Sequence, residues 1–248
     1  MLEEWKKGQY IKLVANESWW GWVDREKRPD VVIRKSIPED FTRYAMLKSG
    51  EADIVGQIAP ERIPEIEASE GLRVLKAAGL RGFFVGMNTW REPFCDWRVR
   101  QAMNYAVDPQ LIVDTILGGQ AMVHPGVCAV GDFGYCPDCY PYDYDPARAK
   151  ELLEEAGYPD GFKVRFWSPR GKYMKDLETV EAIAGQLEEI GIEVEVYAPA
   201  WPEYWDNFLA GNMDMFFLSY GAAFPDCDDR IGGQLDGARR GIYYNNPY

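Results

Sequence analysis

The sequence predicts an α/β fold with a mixed, largely parallel sheet flanked by helices. Between residues 163 and 220, extended and helical patterns alternate in the order β-α-β-α-β, which is the usual order of a parallel sheet. The run 213–220 is almost continuously apolar, as expected of a strand that is covered on both faces. Hydrophobic residues make up 47% of the 248 residues, which is enough for a packed core and too many for a disordered chain.

The elements before residue 90 are predicted from alternating apolar positions and from turn residues. Helices are expected at 39–49 and 60–68, and strands at 10–15, 30–37, 52–55, 74–77 and 82–88. Gly50 is expected to end the first helix, because glycine adopts the left-handed conformation of a helix C-cap at little cost.

The later elements carry clearer helix boundaries. Asp96 is a predicted N-cap for a helix that extends to Ala106, and Pro146 lies in the first turn of a helix that Gly157 follows. Further helices are predicted at 109–117, 177–190 and 201–210, and strands at 163–168, 193–198 and 213–220. Residues 121–144 form a long loop, and such loops in compact domains are usually functional or cross-linked.

The charge excludes some functions. With 27 Lys and Arg against 40 Asp and Glu, the net charge is −13, which argues against binding to nucleic acids or anionic membranes.

Two residue types also bear on function. His124 is the single histidine, so a Ser-His-Asp or Cys-His catalytic site would have to use it. Aromatic residues make up 14% of the chain and are expected either in a large core or at a ligand site.

Five segments, in the same order along the chain, resemble one family. They lie at 14–20 (VANESWW), 43–54 (RYAMLKSGEADI), 96–121 (from DWRVRQA to ILGGQA), 144–159 (YDPARAKELLEEAGYP) and 243–247 (YYNNP). Together they resemble the extracytoplasmic solute-binding proteins of peptide-type ABC importers, known as family 5. The resemblance covers essentially the whole chain.

The resemblance implies a periplasmic-binding-protein-like fold of type II, with two lobes that close on a solute. Residues 1–88 would then be a partial first lobe and hinge strand, and residues 89–248 most of the second lobe. The chain would be a fragment of a protein about twice as long, lacking the N-terminal part and the C-terminal end of the family pattern. Apolar faces that the missing strands would otherwise cover would then be exposed, and the fragment could dimerise or form a non-native pairing at a strand edge.

The implied function is capture of an oligopeptide or similar small organic solute in an inter-lobe cleft, for delivery to a membrane permease. The expected location is periplasmic or extracytoplasmic, either soluble or membrane-anchored. No catalysis, cofactor, nucleic-acid partner or direct membrane insertion of the fragment is implied.

The resemblance also indicates residues that would contact the solute. Ala223 occupies the position of an aspartate that pairs with the α-ammonium group in the family's peptide binders, which puts recognition of a free peptide N-terminus in doubt; Asp226 is a weaker substitute. On the helix from 201, the spacing of Trp201, Trp205 and Phe208 puts their rings on one face, although such a stripe is more often core. The candidate ligand-binding residues are Gln57, Phe84, Asn88, Trp167, Trp201, Trp205, Phe208, Phe217, Ser219, Tyr220, Gly221 and Ala223.

Other functions are left open. An aromatic wall with few charges would also suit an oligosaccharide, because sugar rings stack on aromatic faces. Asp226, Asp228 and Asp229 could in principle form the carboxylate pair of a glycosidase, although a solvated acidic loop explains them more simply. A third alternative is an interaction fragment without ligand affinity.

The cysteines allow three interpretations. His124, Cys128, Cys136 and Cys139 have a spacing that could hold a structural zinc ion. Because extracytoplasmic proteins favour disulfides, we expect instead a bond within the loop, from Cys128 to Cys136 or Cys139. A redox-active Cys136–Cys139 pair is the third alternative; Cys95 and Cys227 complete the set of five.

Overall fold

The computed structural model describes residues 1–21, 28–77, 79, 81–124, 126–139 and 142–234. The chain divides into two compact units, Met1–Glu70 and Gly71–Tyr248. The segment 243–247, which contributes to the family resemblance, lies outside the described residues. Within the described ranges, no helix combines the length and the apolar character needed to cross a bilayer.

The first unit contains an antiparallel sheet and short helices. Its elements are β1 (Leu2–Lys6), β2 (Tyr10–Val14), β3 (Val31–Lys35), α1 (Asp40–Ser49), a 3₁₀ turn (Pro60–Arg62) and α2 (Ile63–Glu67). The strands pair in the order β1-β2-β3. As predicted, Gly50 caps α1 in the left-handed conformation, with φ at 75°.

One strand predicted in this unit does not form. Residues 52–55 are irregular, and Ile54 is 90% exposed. The amide of Ala52 donates instead to the carbonyl of Met46, 3.0 Å away, so this backbone closes the end of α1 rather than pairing with a strand. Strand β1, by contrast, was not predicted, because its sequence is polar and exposed.

The second unit is an α/β layer structure. Its elements are β4 (Arg81–Met87), α3 (Trp97–Ala106), α4 (Pro109–Thr115), α5 (Pro146–Glu155), β5 (Lys163–Trp167), α6 (Asp176–Glu188), β6 (Glu193–Tyr197), α7 (Trp201–Leu209), β7 (Met215–Gly221) and α8 (Cys227–Gln234). The predicted helix start at Asp96 is confirmed, since its carboxylate accepts from the Arg98 amide at 2.8 Å. The strand expected at 74–77 is absent.

The four strands form one sheet in the order β4-β7-β5-β6. Strands β5 and β6, and β5 and β7, are parallel, whereas β4 runs antiparallel to β7. This confirms the predicted mixed, largely parallel sheet. Strand β4 therefore belongs to the sheet of this unit, and the predicted lobe boundary at residue 88 stays a prediction.

The two faces of the sheet have separate cores, because successive side chains of a strand point to opposite sides. One face packs against α3, α5 and α6 through Phe166, Met215 and Phe217. The other packs against α7 through Trp167, Phe216 and Leu218. Strand β7 is buried on both faces up to Tyr220, as its apolar sequence predicted.

The predicted partner of Cys128 is wrong, although a disulfide does form within the long loop. Cys128 bonds to Cys227 at the start of α8, 99 residues away, and Cys136 bonds to Cys139. The reason is backbone pairing between distant segments. The Phe133 amide donates to the Pro225 carbonyl at 2.8 Å, and the Cys227 amide donates to the Phe133 carbonyl at 3.0 Å. This pairing holds the loop against the segment that precedes α8.

The alternative zinc site is also contradicted. Its three cysteines, Cys128, Cys136 and Cys139, are all in disulfides and lack the thiolate that binds zinc. In the described ranges, no group of three or more His, Cys, Asp and Glu side chains could hold a metal ion. His124 lies instead beside Arg230, because both side chains pack over Gly82. A Cβ added at Gly82 would be 3.8 Å from the imidazole of His124 and 3.7 Å from the guanidinium of Arg230.

Candidate functional site

The candidate site lies where the parallel strands of the second unit end. In sheets of this kind, ligands usually bind beyond the carboxyl ends of the strands. Trp167, the last residue of β5, pairs with Phe216 near the start of β7. Strand β7 therefore continues past β5, with β4 as its partner. We call residues 81–85 of β4 and 217–221 of β7 the projecting ribbon.

The aromatic residues of α7 form a continuous stack. The ring centroids of Trp201 and Trp205 are 5.3 Å apart, and those of Trp205 and Phe208 are 5.1 Å apart. The predicted common face of the helix is therefore present. Phe208 is buried against Phe216, whereas the two tryptophans are only partly buried. A solute could reach the two tryptophans but not Phe208.

Trp201 lies near the carboxyl ends of the strands, because it is the first residue of α7 and only three residues separate α7 from β6. Its ring stacks on Tyr204 with centroids 5.6 Å apart, and the Lys172 ammonium lies 4.1 Å from its centroid. This cation–π contact brings the loop after β5 against α7. The hydroxyl of Tyr204 donates to the Phe217 carbonyl at 2.7 Å, which fixes the helix to β7.

Trp167, at the end of β5, belongs to the same hydrophobic cluster as the aromatic side chains of α7. Its ring meets Tyr197 of β6 edge to face, with centroids 4.7 Å apart. It also lines a shallow cavity of about 310 Å³, whose wall is mainly polar and includes Lys163, Arg165 and Glu195. Phe84 lies on the same face of the sheet, packed against Phe216.

The predicted site residues of β7 lie on two different faces. Phe217 and Ser219 point to one side of the projecting ribbon, and Tyr220 points to the other. Phe217 is buried under Phe83, whose ring stacks on it at 5.6 Å and 9°. Tyr220 is also buried, and its hydroxyl donates to the Asp229 carbonyl at 3.2 Å. Gly221 and Ala223 are exposed.

The segment after β7 brings a carboxylate close to Ala223. The Ala223 amide donates to Oδ2 of Asp229 at 2.9 Å. Asp226 has another role, since its Oδ1 accepts the Asp228 amide at 2.9 Å at the start of α8. Asp229, which was considered only for the glycosidase alternative, is therefore the carboxylate positioned at the backbone of residue 223.

Two candidate residues are not part of this end of the second unit's sheet: Asn88 follows the other end of β4, and Gln57 belongs to the first unit. Asn88 lies about 20 Å along the strand from Arg81, where its amide donates to the Asp214 carbonyl at 2.7 Å. Gln57 has a left-handed φ of 56°. Arg43 donates to its carbonyl at 2.7 Å, which holds this conformation. For Gln57 and Asn88, contact with a solute remains a prediction.

A buried ion pair supports the opposite side of the ribbon. The Nε of Arg230 donates to Oδ2 of Asp132, and both side chains are almost fully buried. The same Oδ2 accepts the Ala129 amide at 2.8 Å. Burial lowers the pKa of the neighbouring His124 below its usual value, and the charge of Arg230 adds to this while Asp132 opposes it. We infer a neutral imidazole at pH 7.

Sequence reasoning named Ser219 but missed Arg81 and Phe83, which lie on the same side of the ribbon. Arg81 and Phe83 point to the same side of β4 as Ser219 does on β7, and Tyr173 meets Phe83 edge to face with centroids 5.1 Å apart. The available signal was the alternation in β4, which puts residues 81 and 83 on one face. Among the residues of β4, the prediction named only Phe84, which lies on the other face.

The chain is similar to one known family and to several known proteins. The model of "Bacterial extracellular solute-binding proteins, family 5 Middle" matches residues 1–240. Heme-binding protein A of Haemophilus influenzae is 27% identical over 247 residues, which cover 96% of this chain and 44% of that protein. The glutathione-binding protein GsiB of Salmonella paratyphi A is 30% identical over 197 residues, which cover 79% of this chain and 38% of that protein.

A solved structure agrees with these matches. The periplasmic binding protein DppA of Helicobacter pylori, in complex with the peptide STSA, is 28% identical, with a TM-score of 0.79 over 99% of this chain and 48% of that chain. The chain thus spans about half the length of the relatives it matches. Each of the three is named as a binding protein, not as an enzyme. By the extent of the family match, the chain belongs to the bacterial extracellular solute-binding proteins of family 5.

Proposed function

We propose that this chain is part of the solute-binding component of an ABC importer. It would capture a small organic solute outside the cytoplasmic membrane and deliver it to the membrane permease. Membership of family 5 supports this proposal, as do the relatives named for binding heme, glutathione and a peptide. The single structural observation that carries it is the partly exposed Trp201–Trp205 pair beside the carboxyl ends of the strands.

An oligopeptide or a related compound is the leading solute class. The Asp229 carboxylate at the Ala223 backbone supplies a negative group where the resemblance predicted one and residue 223 has none. An ammonium group needs such a partner when it is removed from water.

An oligosaccharide is the alternative. Two partly exposed tryptophans with nearly parallel rings, 24° apart, suit stacking on sugar rings. However, one side of the Trp201 ring is occupied by Lys172. A sugar that stacked on that side would have to displace the ammonium group.

The test is a thermal-shift screen on the complete gene product. The probes are a dipeptide, a tetrapeptide, glutathione, hemin and maltotetraose. A solute present at 100 times its Kd stabilises the folded state by about 2.7 kcal/mol, so we expect a rise of several degrees with at least one probe. Trp201→Ala should abolish the rise, whereas Trp97→Ala, which truncates a tryptophan that is 57% exposed on α3, should retain it.

Two results would contradict the proposal. If no probe stabilises the wild-type protein, capture of these solutes is wrong. If a glycoside substrate is hydrolysed, the protein is an enzyme and the binding-only function is wrong. Loss of the rise in both tryptophan variants would show that Trp201 has no specific role.

A further inference from the structure

The side of the projecting ribbon that carries the exposed Arg81 and Phe83 has the composition of a binding subsite. Its members are Arg81, Phe83, Ser219 and Tyr173, which we call the Arg81 cluster. Cross-strand pairing places Phe83 opposite Ser219 and Arg81 opposite Gly221, so the side chains share one face. The other face of the ribbon is used by the contacts of Tyr220 and Gly82 with α8 and its neighbours.

Arg81 is held in place but keeps donors available. Its Nη1 donates to Oγ of Ser219 at 2.8 Å, and within the described ranges it forms no ion pair with a carboxylate. A Cβ added at Gly221 would lie 3.3 Å from Nη2, so glycine leaves room for the guanidinium beside the backbone. A guanidinium has five N–H donors arranged to bind a carboxylate with two parallel hydrogen bonds.

Phe83 provides an apolar surface next to this cation. It lies two residues along the strand, about 7 Å away, and 49% of it is exposed. The ring cannot turn freely, because it stacks on the buried Phe217 and meets the edge of Tyr173. A rigid, exposed ring beside an arginine suits a solute that has an apolar group next to an acidic group.

The loop after β5 adds positive charge at this end of the sheet. Arg170 and Lys172 are exposed, and within the described ranges neither forms an ion pair with a carboxylate. The carboxylate of Asp176 accepts the amides of Lys172 and Tyr173 at 2.8 and 3.0 Å, which fixes the loop. In a chain with a net charge of −13, a local group of cations favours an anionic solute.

From this arrangement we propose that Arg81 binds a carboxylate of the solute and that Phe83 packs on the adjoining apolar group. The solute class is then a small organic acid or peptide with a free carboxylate, not a neutral saccharide. The inference rests on the proposed function and narrows it to one solute chemistry and one recognising residue.

The test compares a carboxylate with its uncharged counterpart. Calorimetric titration of the complete gene product would use the dipeptide Ala-Phe and its C-terminal amide, with maltotetraose as a neutral probe. A hydrogen-bonded charge pair of this kind should make the free acid bind roughly tenfold or more tightly than the amide. Arg81→Gln should reduce this ratio to about one. Arg34→Gln, which removes the same charge from an exposed position on β3, should leave it unchanged.

The other outcomes distinguish the assignment of Arg81 from the proposed function of solute capture. Equal binding of acid and amide, or a ratio that survives Arg81→Gln, overturns the assignment of Arg81 while solute capture stands. Binding of maltotetraose alone does the same. If the free acid does not bind, the Arg81 assignment fails, whereas the proposed function fails only if none of the five probes of the thermal-shift screen stabilises the protein. Circular dichroism of each variant confirms that it is folded.

Discussion

Removal of the Asp132 carboxylate tests whether the ion pair with Arg230 holds the long loop in place. The side chains of Asp132 and Arg230 are 0% and 1% exposed, so Asp132→Ala would remove the carboxylate of a buried ion pair from one side. Breaking such a pair from one side costs about 3–5 kcal/mol. The free energy of unfolding of a domain is about 5–15 kcal/mol, so this loss is a large fraction of it.

The assay is urea unfolding followed by tryptophan fluorescence, with melting temperatures as a second measure. For a protein of this size, each kcal/mol shifts the melting temperature by about 2–4 °C, so we expect a fall of roughly 6–20 °C. The matched control is Glu193→Ala, which breaks the pair with Lys163, whose side chains are 69% and 62% exposed. Exposed pairs contribute about 0–1 kcal/mol.

A double variant separates loss of the pair from loss of packing. Asp132→Leu combined with Arg230→Met replaces both charges of the pair by apolar groups, so neither charge of this pair stays buried, and part of the stability should return. The reasoning is refuted if Asp132→Ala destabilises the protein by less than 1 kcal/mol, or by no more than Glu193→Ala does.

Two further predictions concern the same loop. Replacing Cys128 and Cys227 by serine should lower the free energy of unfolding by up to about 4.7 kcal/mol, because the bond closes a loop of about 100 residues. The same change at Cys136 and Cys139, which close a very short loop, should lower it by about 2 kcal/mol. Equal losses measured by urea unfolding would contradict this. The pKa of His124 is lowered in the folded state, so the unfolded state binds more protons around and below the usual pKa of 6.5, and stability should fall as the pH drops below that value. His124→Gln should remove this part of the pH dependence between pH 7 and 5, and an unchanged slope in urea titrations would show that His124 does not cause it.

The sequence predicted well where the signal was local. The Asp96 cap, the left-handed Gly50 and the apolar run of β7 are each determined by a few neighbouring residues, and all three are confirmed. The common face of Trp201, Trp205 and Phe208 was also predictable, because helical geometry alone fixes it. Prediction was wrong at 52–55, where a strand pattern found no partner strand.

The cysteines show the limit of spacing arguments. Cys128 is near Cys136 in sequence, yet it bonds to Cys227, because the pairing of Phe133 with the segment before α8 brings the distant residue close. No pattern within the loop contains that information. The burial of Asp132 against Arg230 depends on the same contact.

By itself, the sequence determined the fold class, the order of the helices and strands from β4 to β7, and the family, because these follow from local periodicity and from motifs along the chain. Only the tertiary structure decided which side chains meet. It placed Phe217 under Phe83, turned Tyr220 towards α8, and brought Arg81 to Ser219 across 138 residues. The physical reason is strand register, which assigns each side chain to one face of the sheet and is set by packing among segments far apart in the chain.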